Sequence, residues 1–141
     1  MIPHSLALLD HEDLICVADR ERMRVLCYSA GLGSIKAGHL YFDIEHTSLK
    51  RVFAIANIGD MLVALNGPSL EAQLQSKPEK DPPVGLVLDL ATEHMVTSFY
   101  PKQQFVEPHD VAYNPRSRSL VVMDLESLRK LIKFQVHLKY N

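Results

Sequence analysis

The chain has 141 residues, with 15 Lys and Arg against 17 Asp and Glu and a net charge of −2 when histidine is neutral. That length is one ordinary domain, and the charges are scattered rather than blocked, so nothing marks a surface for nucleic acid or an anionic membrane. No apolar run approaches the ~18–20 residues of a membrane span, and the first residues read as strand rather than as a leader.

In chain order, residues 2–29 predict strands at 5–9, 14–18 and 24–28, with turns at 10–13 and 19–23 built on Asp, Glu and Arg. A Gly-rich segment, SAGLGSIK, follows, and HLYFDI at 39–44 predicts a fourth strand. Residues 51–67 (RVFAIANIGDMLVALNG) read as a hairpin turning on Ile58-Gly59-Asp60, and 85–90 and 95–100 as a second pair. Between them, residues 67–83 carry several prolines and no periodicity, and predict an irregular surface excursion. Such a loop is solvated in the plainer reading and a lid over a site in the other. Strands at 111–113, 120–123 and 131–134 close the chain. A helix over 125–134 competes with the last of them, and the repeat described next favours the strand.

The opening stretch, IPHSLALLDHEDLICVAD, returns as EPHDVAYNPRSRSLVVMD. Both copies run Pro-His, apolar run, polar turn, apolar run, Asp, and both His4 to His109 and Asp19 to Asp124 are 105 residues apart. Four-stranded propeller blades take roughly 40–50 residues, so this offset spans two of them. The fold class expected is all-β: a fragment of one β-propeller domain covering residues 1–141, in three blade-like units at about 2–46, 47–102 and 103–141. Propellers close at about four to eight blades, so three predict part of a larger ring.

Equivalent residues on different blades converge on the propeller axis. His4 and His109 are therefore candidate metal ligands, since neutral imidazole is the commonest such side chain. If Pro-His recurs on alternate blades, a six-bladed ring carries three, the ligand set of many catalytic zinc sites. Cys16 and Cys27 flank a predicted hairpin. Their positions suit a cross-strand disulfide or two buried thiols.

Taken together, IPHSLALL, LICVADRERMRVLCY, RVFAIANIGDMLVALNG and FVEPHDVAYNP resemble the later part of the peptidyl-alpha-hydroxyglycine amidating lyases, from Ile2 to about Asp124. The resemblance implies a six-bladed propeller with NHL-type repeats. It also implies cleavage of a peptidyl-alpha-hydroxyglycine to a peptide amide and glyoxylate. It makes His4 and His109 two of three zinc ligands, Asp110 a calcium ligand and Arg20 an active-site cation, and it pairs Cys16 with Cys27. It implies zinc and calcium as cofactors, secretion or a secretory-granule lumen, the missing blades as partners, and a linked monooxygenase domain. The third zinc histidine, an active-site tyrosine and a second arginine of the family belong to blades outside this sequence.

Three departures stand beside it. Glu107 replaces an apolar residue that a family member carries before Pro-His, the segment after Asp124 is less polar, and the last hairpin has one residue more than the first. The rival expectation is a non-enzymatic NHL-type propeller that binds protein partners through its turns.

Overall fold

In the computed structural model, which describes residues 2–33, 35–75, 80–126 and 130–137, the chain forms three antiparallel sheets in succession. The first holds β1 (Pro3–Leu9), β2 (Leu14–Asp19), β3 (Arg24–Ser29) and β4 (Leu40–Glu45), paired in that order. The second holds β5 (Val52–Ile58), β6 (Met61–Asn66), β7 (Gly85–Asp89) and β8 (His94–Phe99). The third holds β9 (Pro108–Asn114), β10 (Ser119–Asp124) and β11 (Leu131–Gln135), with β10 in the middle. Each sheet is an up-and-down meander, the form of a propeller blade.

The burial of each strand follows its place. β5 and β6 lie between two neighbouring sheets and are apolar almost throughout, as VFAIANI and MLVALN require. β8, at the outer edge, reads HMVTSF and is largely exposed. Two cores result. One joins the first and second sheets through Leu9, Leu14, Cys16 and Val25 against Val52, Ile55, Leu62 and Leu88. The other joins the second and third through Ala54, Ile58, Val63 and Leu65 against Val111, Leu120 and Val122. Cys16 lies directly opposite Cys27 across β2 and β3, and the two are disulfide-bonded inside the first core.

The final hairpin settles a register left open by the sequence. Ile15 pairs with Tyr28 and Leu120 with Phe134, so the extra residue lies in the connection and β11 keeps its alignment. The competing helix is absent from the described part, where Leu131–Gln135 is strand; residues 127–129 lie outside it. One expectation needs correction. The excursion at 67–83 is not wholly irregular, because Leu70–Gln75 forms a short helix, α1, begun by the Ser69 hydroxyl accepting from Ala72 N at 3.1 Å.

Candidate active site

The inner strands β1, β5 and β9 begin alike. Pro3 pairs with Asp19, Val52 with Asn66 and Pro108 with Asp124, and each ladder then slips by one residue before it resumes. A bulge of this kind re-aims a side chain. In β5 its effect is visible: Val52 and Ile55, three positions apart, enter the same core. The residues delivered by the three slips are His4, Phe53 and His109. Their rings meet as a triangle, with centroids 4.9 Å apart for His4–Phe53, 5.2 Å for His4–His109 and 5.3 Å for Phe53–His109.

The recurring strand-ending acid is a clasp for this arrangement. Asp19, Asn66 and Asp124 are fully buried, and each holds the backbone leading into its own blade. Asp19 accepts from Ile2 N at 3.2 Å, and Asn66 accepts from Lys50 N at 3.1 Å while donating to Ser48 O at 2.8 Å. Asp124 accepts from Val106 N and Glu107 N, both at 2.9 Å. A buried carboxylate persists because its oxygens are satisfied.

The two imidazoles differ in their second nitrogen. His4 Nδ1 lies 2.6 Å from Phe53 O. A carbonyl only accepts, so Nδ1 carries a proton, and in the neutral ring Nε2 is the nitrogen with the lone pair, the form that metal-ligating histidines adopt. His109 Nδ1 is buried with no hydrogen-bond partner among the described residues, the Glu107 carboxylate standing 4.0 Å away. Fixed tautomer and orphaned nitrogen both suit a borderline-soft cation such as zinc. Among the described residues no group of three or more His, Cys, Asp or Glu stands close enough to hold a metal. Asp110 is exposed, and its Oδ1 accepts from Val111 N at 2.8 Å. The described residues assemble no calcium site around it, since that ion takes about six to eight oxygens.

Arg20 joins the histidines through Phe53. Its guanidinium lies 5.2 Å from the centre of that ring, and Arg51, which the sequence did not single out, lies 5.3 Å from it. Both arginines share Glu21. Arg20 Nε donates to Glu21 Oε1 at 2.7 Å, and Arg51 donates to the same oxygen from Nη2 at 2.7 Å, with further bonds of 3.2 Å from Nε to both oxygens. Arg51 Nη1 also holds Pro68 O and Gln73 Oε1, each at 3.0 Å, and Gln73 Nε2 donates to Glu107 Oε1 at 3.1 Å. The excursion is therefore tied at its start to the rim of the site.

Hydrogen bonding from Arg51, then from Arg20, holds the Glu21 carboxyl below the usual range. A carboxyl lowered by folding stabilises the fold above its ordinary pKa, and that contribution is lost as pH falls through the lowered value. In denaturant titrations, wild type is expected to be more stable than Glu21→Gln near neutral pH, and the gap to close in acid. A gap independent of pH would contradict the ion pairing.

Phe53 was hidden in the sequence by a length difference. His4 and Asp19 are fifteen positions apart, as are His109 and Asp124, but Phe53 and Asn66 are thirteen positions apart. The middle hairpin turns between Ile58 and Met61, whereas the first turns between Leu9 and Leu14. Aligning the units on the strand-ending residue, with the turn shortened by two, would have found it.

Successive meander sheets whose equivalent positions converge define a segment of a β-propeller. A solved structure of hydrazine synthase from Kuenenia stuttgartiensis shares this fold, with a TM-score of 0.68 over 94% of this chain and 34% of that one, at 14% identity. No family model matches the chain. It is 34% identical to peptidyl-alpha-hydroxyglycine alpha-amidating lyase 2 of Drosophila melanogaster over 125 residues, covering 88% of this chain and 28% of the relative. It is 35% identical to the peptidylglycine alpha-amidating monooxygenase of Rattus norvegicus over 112 residues, 78% of this chain and 10% of that protein. Over most of its length the chain is thus a homologue of the peptidyl-alpha-hydroxyglycine alpha-amidating lyases, and it spans about a quarter of the length of the fly relative.

Proposed function

We propose that this chain supplies three blades of a propeller that cleaves peptidyl-alpha-hydroxyglycine to a peptide amide and glyoxylate. The observation that carries the proposal is the meeting of two imidazoles from different blades with Arg20 around Phe53, in a homologue of enzymes named for that reaction. His4 and His109 would hold zinc, with a third ligand from blades outside this chain. When bound, zinc supplies Lewis-acid polarisation of the substrate hydroxyl. The chemistry breaks the bond between the amide nitrogen and the α-carbon. Its electron pair goes to nitrogen, the hydroxyl oxygen forms the carbonyl of glyoxylate, and the hydroxyl proton ends on the amide nitrogen. Arg20 holds the substrate carboxylate, whose two oxygens match its planar fork.

The same reading makes Asp110 one ligand of a calcium site completed from outside the described residues. It places the protein in a secreted or granule-lumen compartment, which the Cys16–Cys27 bond suits. A linked monooxygenase is the corresponding partner, as the name of the rat relative suggests.

Zinc titration of the purified chain by calorimetry tests the reading. One weak site is expected, abolished by His4→Ala or His109→Ala, with glyoxylate release from a peptidyl-alpha-hydroxyglycine at background because the ligand set is partial. Absence of zinc binding, or binding indifferent to both histidines, would sink the assignment. Turnover by the isolated chain would show instead that the outside blades are dispensable.

A further inference from the structure

We infer that Arg51 determines how strongly this site binds a carboxylate, by drawing the charge of Glu21 away from Arg20. The inference rests on the role of Arg20 proposed above and assigns two residues that lie outside it. Arg20 spends only Nε on Glu21, and its two terminal nitrogens have no hydrogen-bond partner among the described residues. That leaves one edge of the fork for an incoming carboxylate. Glu21 is the obstacle, because an anion already 2.7 Å from the guanidinium neutralises it and competes for the same donors.

Arg51 shares the obstacle. Its side chain is 6% exposed, and it reaches Glu21 from the second blade with three hydrogen bonds, one of them 2.7 Å long. It is itself anchored by Pro68 O and by Gln73 on α1. Two cations sharing one anion leave that trio with a charge of +1 on the Arg20 side of Phe53, while the Glu107 carboxylate stands on the His109 side, 4.0 Å from its Nδ1. A substrate ending in a carboxylate would be preferred at Arg20 over its amide. The lowered Glu21 carboxyl accords with this sharing, since Arg51 is the larger cause of it.

Without Arg51, the Glu21 carboxylate, already bonded to Arg20 Nε, has its second oxygen free to take another Arg20 nitrogen. Both the lost cation and the freed anion then act against a carboxylate ligand. Glutamine at position 21 acts the other way, because it keeps an oxygen to accept from Arg20 Nε and carries no charge.

Hippurate, an N-acylglycine carboxylate, is the probe, with hippuramide as its uncharged control. Both are titrated into the full chain and followed by NMR. Wild type is expected to prefer hippurate, and Arg20→Met to lose that preference. Arg51→Met should weaken hippurate by about tenfold, the worth of one charged hydrogen bond, and leave hippuramide unchanged. Glu21→Gln should tighten hippurate, and the double variant Glu21→Gln/Arg51→Met should bind it about as well as wild type.

That rescue separates the charge effect from a structural one, because a scaffold damaged at Arg51 stays damaged when Glu21 is also changed. Should Arg51→Met fail to fold, the single variant Glu21→Gln still decides. Hippurate binding that is unchanged or weaker in Glu21→Gln, or a double variant no better than Arg51→Met, would overturn the inference. If wild type shows no preference for hippurate, the role proposed for Arg20 falls with it. The zinc titration tests the histidines separately, so the two readings fail separately.

Discussion

Phe53→Ala is expected to lower the unfolding free energy by about 3–5 kcal/mol, the usual loss for a buried aromatic ring. Phe53 is 1% exposed, and its ring touches His4, His109 and the guanidinium groups of Arg20 and Arg51. The variant should therefore loosen the site as well as the fold, and the weak zinc binding expected of His4 and His109 should fall with it. Phe53→Leu separates the two effects. It keeps most of the apolar volume and loses the ring contacts, so its stability loss should be smaller while the zinc affinity still drops.

A neighbour supplies a second check. A Cβ at Gly67 would overlap the Phe53 ring, so Gly67→Ala is expected to be costly alone and close to neutral in the Phe53→Ala background. Urea unfolding of the four proteins measures this coupling. Additive losses would mean that the ring and the glycine do not share the space.

Loss of the Cys16–Cys27 bond is the other large effect. The bonded residues are 11 apart in sequence, and closing a loop of about that size stabilises a fold by roughly 3 kcal/mol in the chain-entropy account. Both sulfurs lie inside the core between the first two blades, so Cys16→Ala/Cys27→Ala also removes packed atoms. The double variant should unfold at clearly lower urea than wild type. Reductant should shift wild type towards it and leave the variant unmoved. Intact mass should rise by two protons on reduction, and two freely alkylated thiols in natively prepared protein would refute the bond.

The strands were legible because each blade repeats one local grammar. Alternation in IPHSLALL, a polar turn and the closing Asp place β1 and β2 without reference to the rest of the chain. The juxtaposition of His4 and His109 was legible for the same reason: equivalent positions on a repeating fold converge, however far apart they lie in sequence. What escaped were features that exist only between blades. Nothing local to Glu21 announces Arg51, thirty residues on and at the entry to another sheet. The middle blade carries Phe where its neighbours carry His, on a hairpin two residues shorter, so its equivalence was masked twice. Helix α1 escaped because its large apolar residues, Leu70 and Leu74, face solvent and give no sign of a buried face. The recurring Asp is plain in the sequence, but its work is not, since a clasp on the preceding backbone is visible only once the strands are paired.

The polar chain from Arg20 through Glu21, Arg51 and Gln73 to Glu107 bears on how far the blades are interchangeable. Their backbones are cassettes: each pairs within itself and is closed by its own Asp or Asn. Their side chains are not, because the links run between the segments that connect the strands: the second crosses from the first blade to the second, and the last from the second blade to the third. A blade transplanted from a different propeller would find its strands accommodated and its neighbours' charges unanswered. Architecture here is portable, and chemistry is local to this particular sequence of blades.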